Sequence, residues 1–146
     1  MKIAICIGQS VSGGVGTSTF ILAKWFRKLG HQADIIVTHF NPGADYQRAV
    51  GDSWPVVAIN TNVRWLRKRL ENTLNILSNY DYVINNHSPE TTLVLPSIPA
   101  DSVSISVVRT TDPKIIAQIL YESKCVDGVV GISPPVTERL HIAGVE

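Results

Sequence analysis

A doubly wound parallel α/β sheet with helices on both faces is the fold this sequence predicts. Three observations carry the prediction. Short apolar runs bounded by turn residues alternate with longer segments of helical periodicity along the whole chain. The first run breaks into a glycine-rich turn and then a helix, which is the opening of a βαβ unit. The length of 146 residues fits one domain, and a composition of 45% hydrophobic and 17% charged residues is that of a globular chain rather than a disordered one.

Ile3 to Gly8 reads as the first strand, and Ser12-Gly13-Gly14-Val15-Gly16-Thr17-Ser18-Thr19 follows it. The first helix is expected from about Thr17 to Leu29, ended by Gly30-His31, with Trp25, Phe26 and Leu29 assigned to the core. Ala33 to Val37 is the second strand, and residues 39–53 read as a polar loop with room for one helical turn. Trp54-Pro55 precedes a short third strand, Val56 to Ile59, and is expected to pack there or else to line a ligand cleft. Val63, Leu66, Leu70, Leu74 and Leu77 recur at three- and four-residue spacing, the apolar stripe of an amphipathic helix. Tyr82-Val83-Ile84 is a buried fourth strand, closed by Asn85-Asn86-His87-Ser88-Pro89.

Pro96 to Pro99 is a connector, and Ser102 to Val108 a fifth strand. Asp112-Pro113 places an N-cap before a proline at the first helical position, and that helix runs to about Glu122. Gly128 to Ile132 is the sixth strand, and Ser133-Pro134-Pro135 opens the last helix. There is no internal repeat and no domain linker.

A net charge of +1 argues against a dedicated nucleic-acid binder. Cys6 and Cys125 both lie in or beside apolar runs and are expected as reduced core residues. No Cys/His spacing resembles a zinc site. Lys2 precedes only a short apolar run, and no run approaches the roughly 20 residues that span a bilayer, so a cytoplasmic domain is expected.

Ligands of open parallel sheets sit beyond the carboxyl ends of the strands. Three polar clusters are expected there: Ser10 to Thr17, Asn85 to Ser88, and Arg109 to Asp112. The glycines suit close approach of backbone amides to a phosphate at a helix start. The turn resembles the deviant P-loop of partition-type ATPases, but Ser12 and Thr17 stand at both lysine positions, and Asn85 stands where an acid would organise magnesium. Dinucleotide binding fits badly too: Thr19 replaces the third small residue, and the second strand ends in Thr38-His39 without a carboxylate for a ribose.

Gly13-Gly14, Leu22-Ala23 and Leu29-Gly30-His31, then Asp81 to Pro89, then Val126 to Ser133 with Val136 and Arg139-Leu140, occur in an order that resembles the N-terminal domain of two-Rossmann-domain (GT-B) glycosyltransferases of family four. The resemblance spans nearly the whole chain. It implies one half of a GT-B architecture, transferring sugar from a nucleotide-sugar donor substrate to a sugar, lipid or polysaccharide acceptor, usually with retention. No cofactor and no metal are implied. Backbone amides of Gly13, Gly14 and Gly16 would face the donor diphosphate, with Thr17 adding a hydroxyl or capping the helix.

His87 would hydrogen-bond a sugar hydroxyl, or else satisfy its own loop. Arg109 stands where many members place a histidine, and would meet an anionic acceptor or phosphate, or else pair with Asp112. Asn86, Ser88 and Asp112 are the expected acceptor-cleft residues. The donor-binding second domain is expected to be missing from these 146 residues, as a further part of the same polypeptide or as a partner chain. Without it the chain is expected to be inactive.

Arg64, Arg67, Lys68 and Arg69, with Trp65 among them, suit either an anionic membrane surface or a solvated helix face. The competing reading of the whole chain is a non-catalytic, degenerate nucleotide-binding or scaffolding module. A weaker one is a P-loop NTPase lacking its lysines.

Overall fold

The computed structural model describes residues 1–9, 13–43 and 45–145. Its centre is one six-stranded parallel sheet. In chain order the strands are β1 (Lys2–Ile7), β2 (Gln32–Val37), β3 (Val56–Ala58), β4 (Tyr82–Asn85), β5 (Val103–Val108) and β6 (Gly128–Gly131). The helices are α1 (Gly13–Lys28), α2 (Tyr46–Gly51), α3 (Leu66–Leu77), α4 (Pro89–Val94), α5 (Pro113–Glu122) and α6 (Pro134–Ala143). Across the sheet the order is β3-β2-β1-β4-β5-β6, so successive strands first run one way from β1 and then the other. This is the doubly wound arrangement that the alternation of elements predicts.

Burial explains the apolar runs. Ile3 to Ile7 are all buried, because β1 is central and covered on both faces. Ile3, Ile5 and Ile7 face α1 and α2, packing with Val15, Phe20, Leu22 and Phe26 and with Ala49. Ala4 and Cys6 face the other way, onto Leu70, Leu74 and Leu77 of α3 and Val94 of α4. Strand register places Ser104 and Ser106 on that second face, and Val108 packs there with Ile116 and Ile119 of α5 and with Val136 and Leu140 of α6. Trp54 packs as expected, its ring centroid 4.4 Å from that of Phe20.

Several expectations change. Helix α1 starts at Gly13, earlier than Thr17, so the glycines form its first turn rather than a turn ahead of it. Gly13 itself takes φ +77°, a conformation open to glycine at little cost. Trp25 and Leu29 are not core residues, being 54% and 66% exposed. The inward stripe of α1 runs through Val15, Thr19, Leu22, Ala23 and Phe26, and helical geometry turns positions 25 and 29 outward. Lys28 instead lies over the Trp25 ring, 4.9 Å from its centroid.

Helix α3 begins at Leu66, leaving Val63 outside it, and Leu66 is exposed. Cys6 is buried in β1, but Cys125 is only half-buried beyond the end of α5; both are free thiols. Helix α4 lies where the sequence shows no helical period. Its start is nonetheless legible in Ser88-Pro89, since the Ser88 hydroxyl oxygen accepts from the Thr91 amide at 3.0 Å. Among the described residues, no helix is long and apolar enough to cross a membrane.

Candidate functional site

The strand order reverses between β1 and β4, and a doubly wound sheet opens a crevice at such a point. Two chain exits meet there. The Gly8 amide donates to the His87 carbonyl at 3.1 Å, and the Asn86 amide to the Cys6 carbonyl at 2.8 Å. A Cβ on Gly8 would lie 3.0 Å from Pro89 Cδ and 3.3 Å from the His87 oxygen, so any larger residue would press these loops apart by a few tenths of an ångström. His87 takes φ +74°, a left-handed conformation that costs a non-glycine residue free energy. Its backbone is committed to Gly8 and its side chain is exposed.

A cavity of about 290 Å³ opens beside this junction, lined among others by Val15, His87, Ser88, Arg109, Thr110 and Glu122. Arg109 follows β5 and donates through Nε to Asn86 Oδ1 at 2.7 Å. Asn86 is buried, and its Nδ2 donates to Thr19 Oγ1 at 2.6 Å. The Thr19 hydroxyl in turn donates to the Val15 carbonyl in the first turns of α1, at 2.7 Å. A continuous polar chain therefore runs from the β5 exit through the β4 exit to α1. Burial draws the pKa of the Arg109 guanidinium down from its ordinary value, because desolvation penalises the charge.

At the cavity wall Glu122 is 3% exposed. Its carboxylate accepts from Ser106 Oγ at 2.7 Å, Thr92 Oγ1 at 2.9 Å and Gln118 Nε2 at 2.7 Å. Behind Ser88 a second buried carboxylate, Glu90, accepts from Thr38 Oγ1 at 3.1 Å and from Arg69 Nε at 3.0 Å. Thr38 and Ser88 oxygens lie 2.7 Å apart, which ties the ends of β2 and β4 together. Sequence reasoning found neither glutamate. Each sits on a helix whose facing strand residues are distant in sequence, so only the polar residues of β5 and of the β2 exit hinted at a partner.

Of the expected site residues, His87, Ser88 and Arg109 line one cavity, with Asn86 bonded to Arg109 behind it. Gly13 and Thr17 line a different cavity of about 490 Å³, between α1 and α2. Gly14 is exposed in the first turn of α1, and Gly16 is buried there. Ser12, with residues 10 and 11, lies outside the described residues. Asp112 does not pair with Arg109. Its carboxylate instead accepts from the Lys114 amide at 2.8 Å and caps α5. Arg69 leaves the basic surface cluster, its side chain 13% exposed against Glu90. Arg67 and Lys68 remain on the surface and both reach Glu71.

No protein-family model and no curated protein matches the chain. Solved structures do match in fold. HepE from Anabaena in complex with UDP aligns over 100% of this chain and 42% of its own, with TM-score 0.75 and 16% identity. The apo lipopolysaccharide outer core galactosyltransferase WaaB aligns over 100% and 43%, with TM-score 0.67 and 14% identity. An α-glucosyltransferase in complex with UDP aligns over 90% and 35%, with TM-score 0.65 and 16% identity. The chain thus spans less than half the length of each. Together with the parallel sheet, these likenesses give the chain the Rossmann-like fold of one half of a GT-B architecture.

Proposed function

We propose that this chain is the acceptor-side half of a nucleotide-sugar-dependent glycosyltransferase of the family-four kind. The observation that carries the reading is the cavity lined by His87, Arg109 and, from α1, Val15, at the reversal point of the sheet. It is supported by the fold shared with proteins solved with UDP, of which this chain spans 35% to 42%. A second Rossmann domain, in the same polypeptide or as a separate chain, supplies the donor grip.

In the reaction an acceptor hydroxyl oxygen forms the new bond to the anomeric carbon. The bond from that carbon to the diphosphate oxygen breaks, and the hydroxyl proton passes to the departing phosphate, with retention at the sugar. Backbone amides of Gly13, Gly14 and Gly16 face the negative charge that grows on the diphosphate, where aligned amide dipoles stabilise a transition state most. His87 hydrogen-bonds a sugar hydroxyl, and Asn86 holds Arg109 in place beside it. Trp65, 83% exposed between Arg64, Arg67 and Lys68, rests on an anionic membrane surface during catalysis on lipid acceptors. Vesicle sedimentation without preference for anionic lipid removes that last element.

The test is an assay of labelled nucleotide sugars with the polypeptide of the whole reading frame, or with this chain mixed with its donor half. Sugar transfer or donor hydrolysis that needs both halves is the expected result. A complete polypeptide that turns over no nucleotide sugar, with any acceptor of a broad panel, overturns the reading.

A further inference from the structure

Only two of the described arginines, Arg69 and Arg109, are withdrawn from solvent. Arg69 meets the buried carboxylate of Glu90 at 3.0 Å. Arg109 meets no carboxylate among the described residues. Its one described hydrogen bond uses Nε, and neither terminal nitrogen has an acceptor among the described residues. A guanidinium never sheds its charge, and a half-buried one whose terminal donors open onto a cavity favours an anion over a neutral group there. The carboxylates close to it in sequence and on the same cavity wall are otherwise engaged. Asp112 caps α5, and Glu122 is closed by three donors from Ser106, Thr92 and Gln118.

Arg109 is also held in place. Its acceptor Asn86 is buried and anchored on Thr19, so the guanidinium plane is oriented before any ligand binds. Such preorganisation suits the paired, parallel hydrogen bonds that a phosphate or carboxylate accepts from arginine. The cavity volume of about 290 Å³ lies near the lower end of the range for small-molecule sites. His87, Thr110 and Gln118 line it and offer hydrogen-bonding partners for hydroxyl groups.

We infer that the acceptor sugar carries an anionic group, a phosphate or a carboxylate, seated on the terminal nitrogens of Arg109, with Asn86 as the positioning residue. The sugar part of this inference rests on the glycosyltransferase reading, whereas the anion seat rests on Arg109 alone.

The test is titration of the 146-residue chain with glucose, glucose 6-phosphate and glucuronate, following by NMR the backbone amide resonances of His87, Thr110 and Gln118, which line the cavity and persist in every variant. Expected is binding of at least one charged sugar roughly 10- to 100-fold tighter than glucose, the factor that charge-assisted hydrogen bonds supply. Arg109→Gln brings charged and neutral sugars level, Arg109→Lys keeps part of the preference, and Asn86→Asp removes it by putting a carboxylate against the guanidinium. The two charged probes separate phosphate from carboxylate. Equal binding of glucose and the charged sugars overturns the inference, and so does a preference that survives Arg109→Gln. Either failure leaves the glycosyltransferase reading intact, because that reading is decided by nucleotide-sugar turnover.

Discussion

Asn86 Nδ2 lies 2.6 Å from Thr19 Oγ1, joining the exit of β4 to the second turn of α1 across 67 positions of sequence. The same side chain accepts from Arg109 at its other end. Asn86→Ala removes both bonds and is expected to cost about 1–3 kcal/mol, the range for breaking buried hydrogen bonds. Urea denaturation measures it. A double-mutant cycle with Arg109→Gln should return a coupling of about 1 kcal/mol. Strict additivity would mean that Asn86 does not hold Arg109.

The buried pair Arg69–Glu90 gives a sharper stability prediction. Removing one partner leaves the other charge uncompensated, so Arg69→Met is expected to cost about 3–5 kcal/mol. Adding Glu90→Gln should recover part of that loss, because the orphaned charge is gone while Thr38 keeps an oxygen to donate to. A double variant less stable than Arg69→Met alone would contradict this account.

Cys6 links stability to alkaline pH. Burial pushes its thiol up from 9.0 to about 12 in the folded chain. The unfolded thiol ionises first as pH rises through 9, which favours unfolding. Its contribution is therefore whole below pH 9 and declines between about 9 and 12. Tyr80 shifts upward too, mainly by burial and then through Asp34, and adds to the same alkaline loss. Melting temperatures between pH 8 and 11 should fall less steeply in Cys6→Ala than in the parent. At neutral pH a thiol reagent should modify Cys125 quickly and Cys6 only on unfolding.

Gly14 separates fold from function. A Cβ built there meets nothing within 4 Å among the described residues. Alanine also favours a helix over glycine by about 1 kcal/mol, so Gly14→Ala should leave the melting temperature unchanged or raised. If the start of α1 faces the donor diphosphate, the same methyl intrudes on that approach and lowers turnover of the complete enzyme at least tenfold. Full turnover in a well-folded Gly14→Ala variant would remove the diphosphate from this turn.

Local chemistry made much of the fold legible. Asp112-Pro113 announced α5, Gly30 ended α1 at φ +85°, and the buried runs marked the strands. Ser88-Pro89 carried the same signal for α4 as Asp112-Pro113 did for α5, but the following six-residue helix is too short to show a period. Trp25 and Leu29 went astray for another reason. Apolar type implies burial only on the inward stripe, and α1 had other residues to fill it. At the site, His87 and Arg109 could be placed at strand ends from sequence, whereas the bond from Arg109 to Asn86 rather than to Asp112 could not.

Periodicity, capping residues and glycine positions act within a few residues of themselves, so the chain alone specified its strands, its longer helices and their doubly wound alternation, but not the short α4. Which polar groups became partners depended on the folded sheet. Glu122 with Ser106, Glu90 with Thr38 and Arg69, and Asn86 with Thr19 are brought together by crossovers of 16 to 67 residues. A buried charge or amide takes whichever partner the packing delivers to it. That is a property of three-dimensional proximity, and it left Arg109 as the one withdrawn arginine among the described residues with no carboxylate to meet.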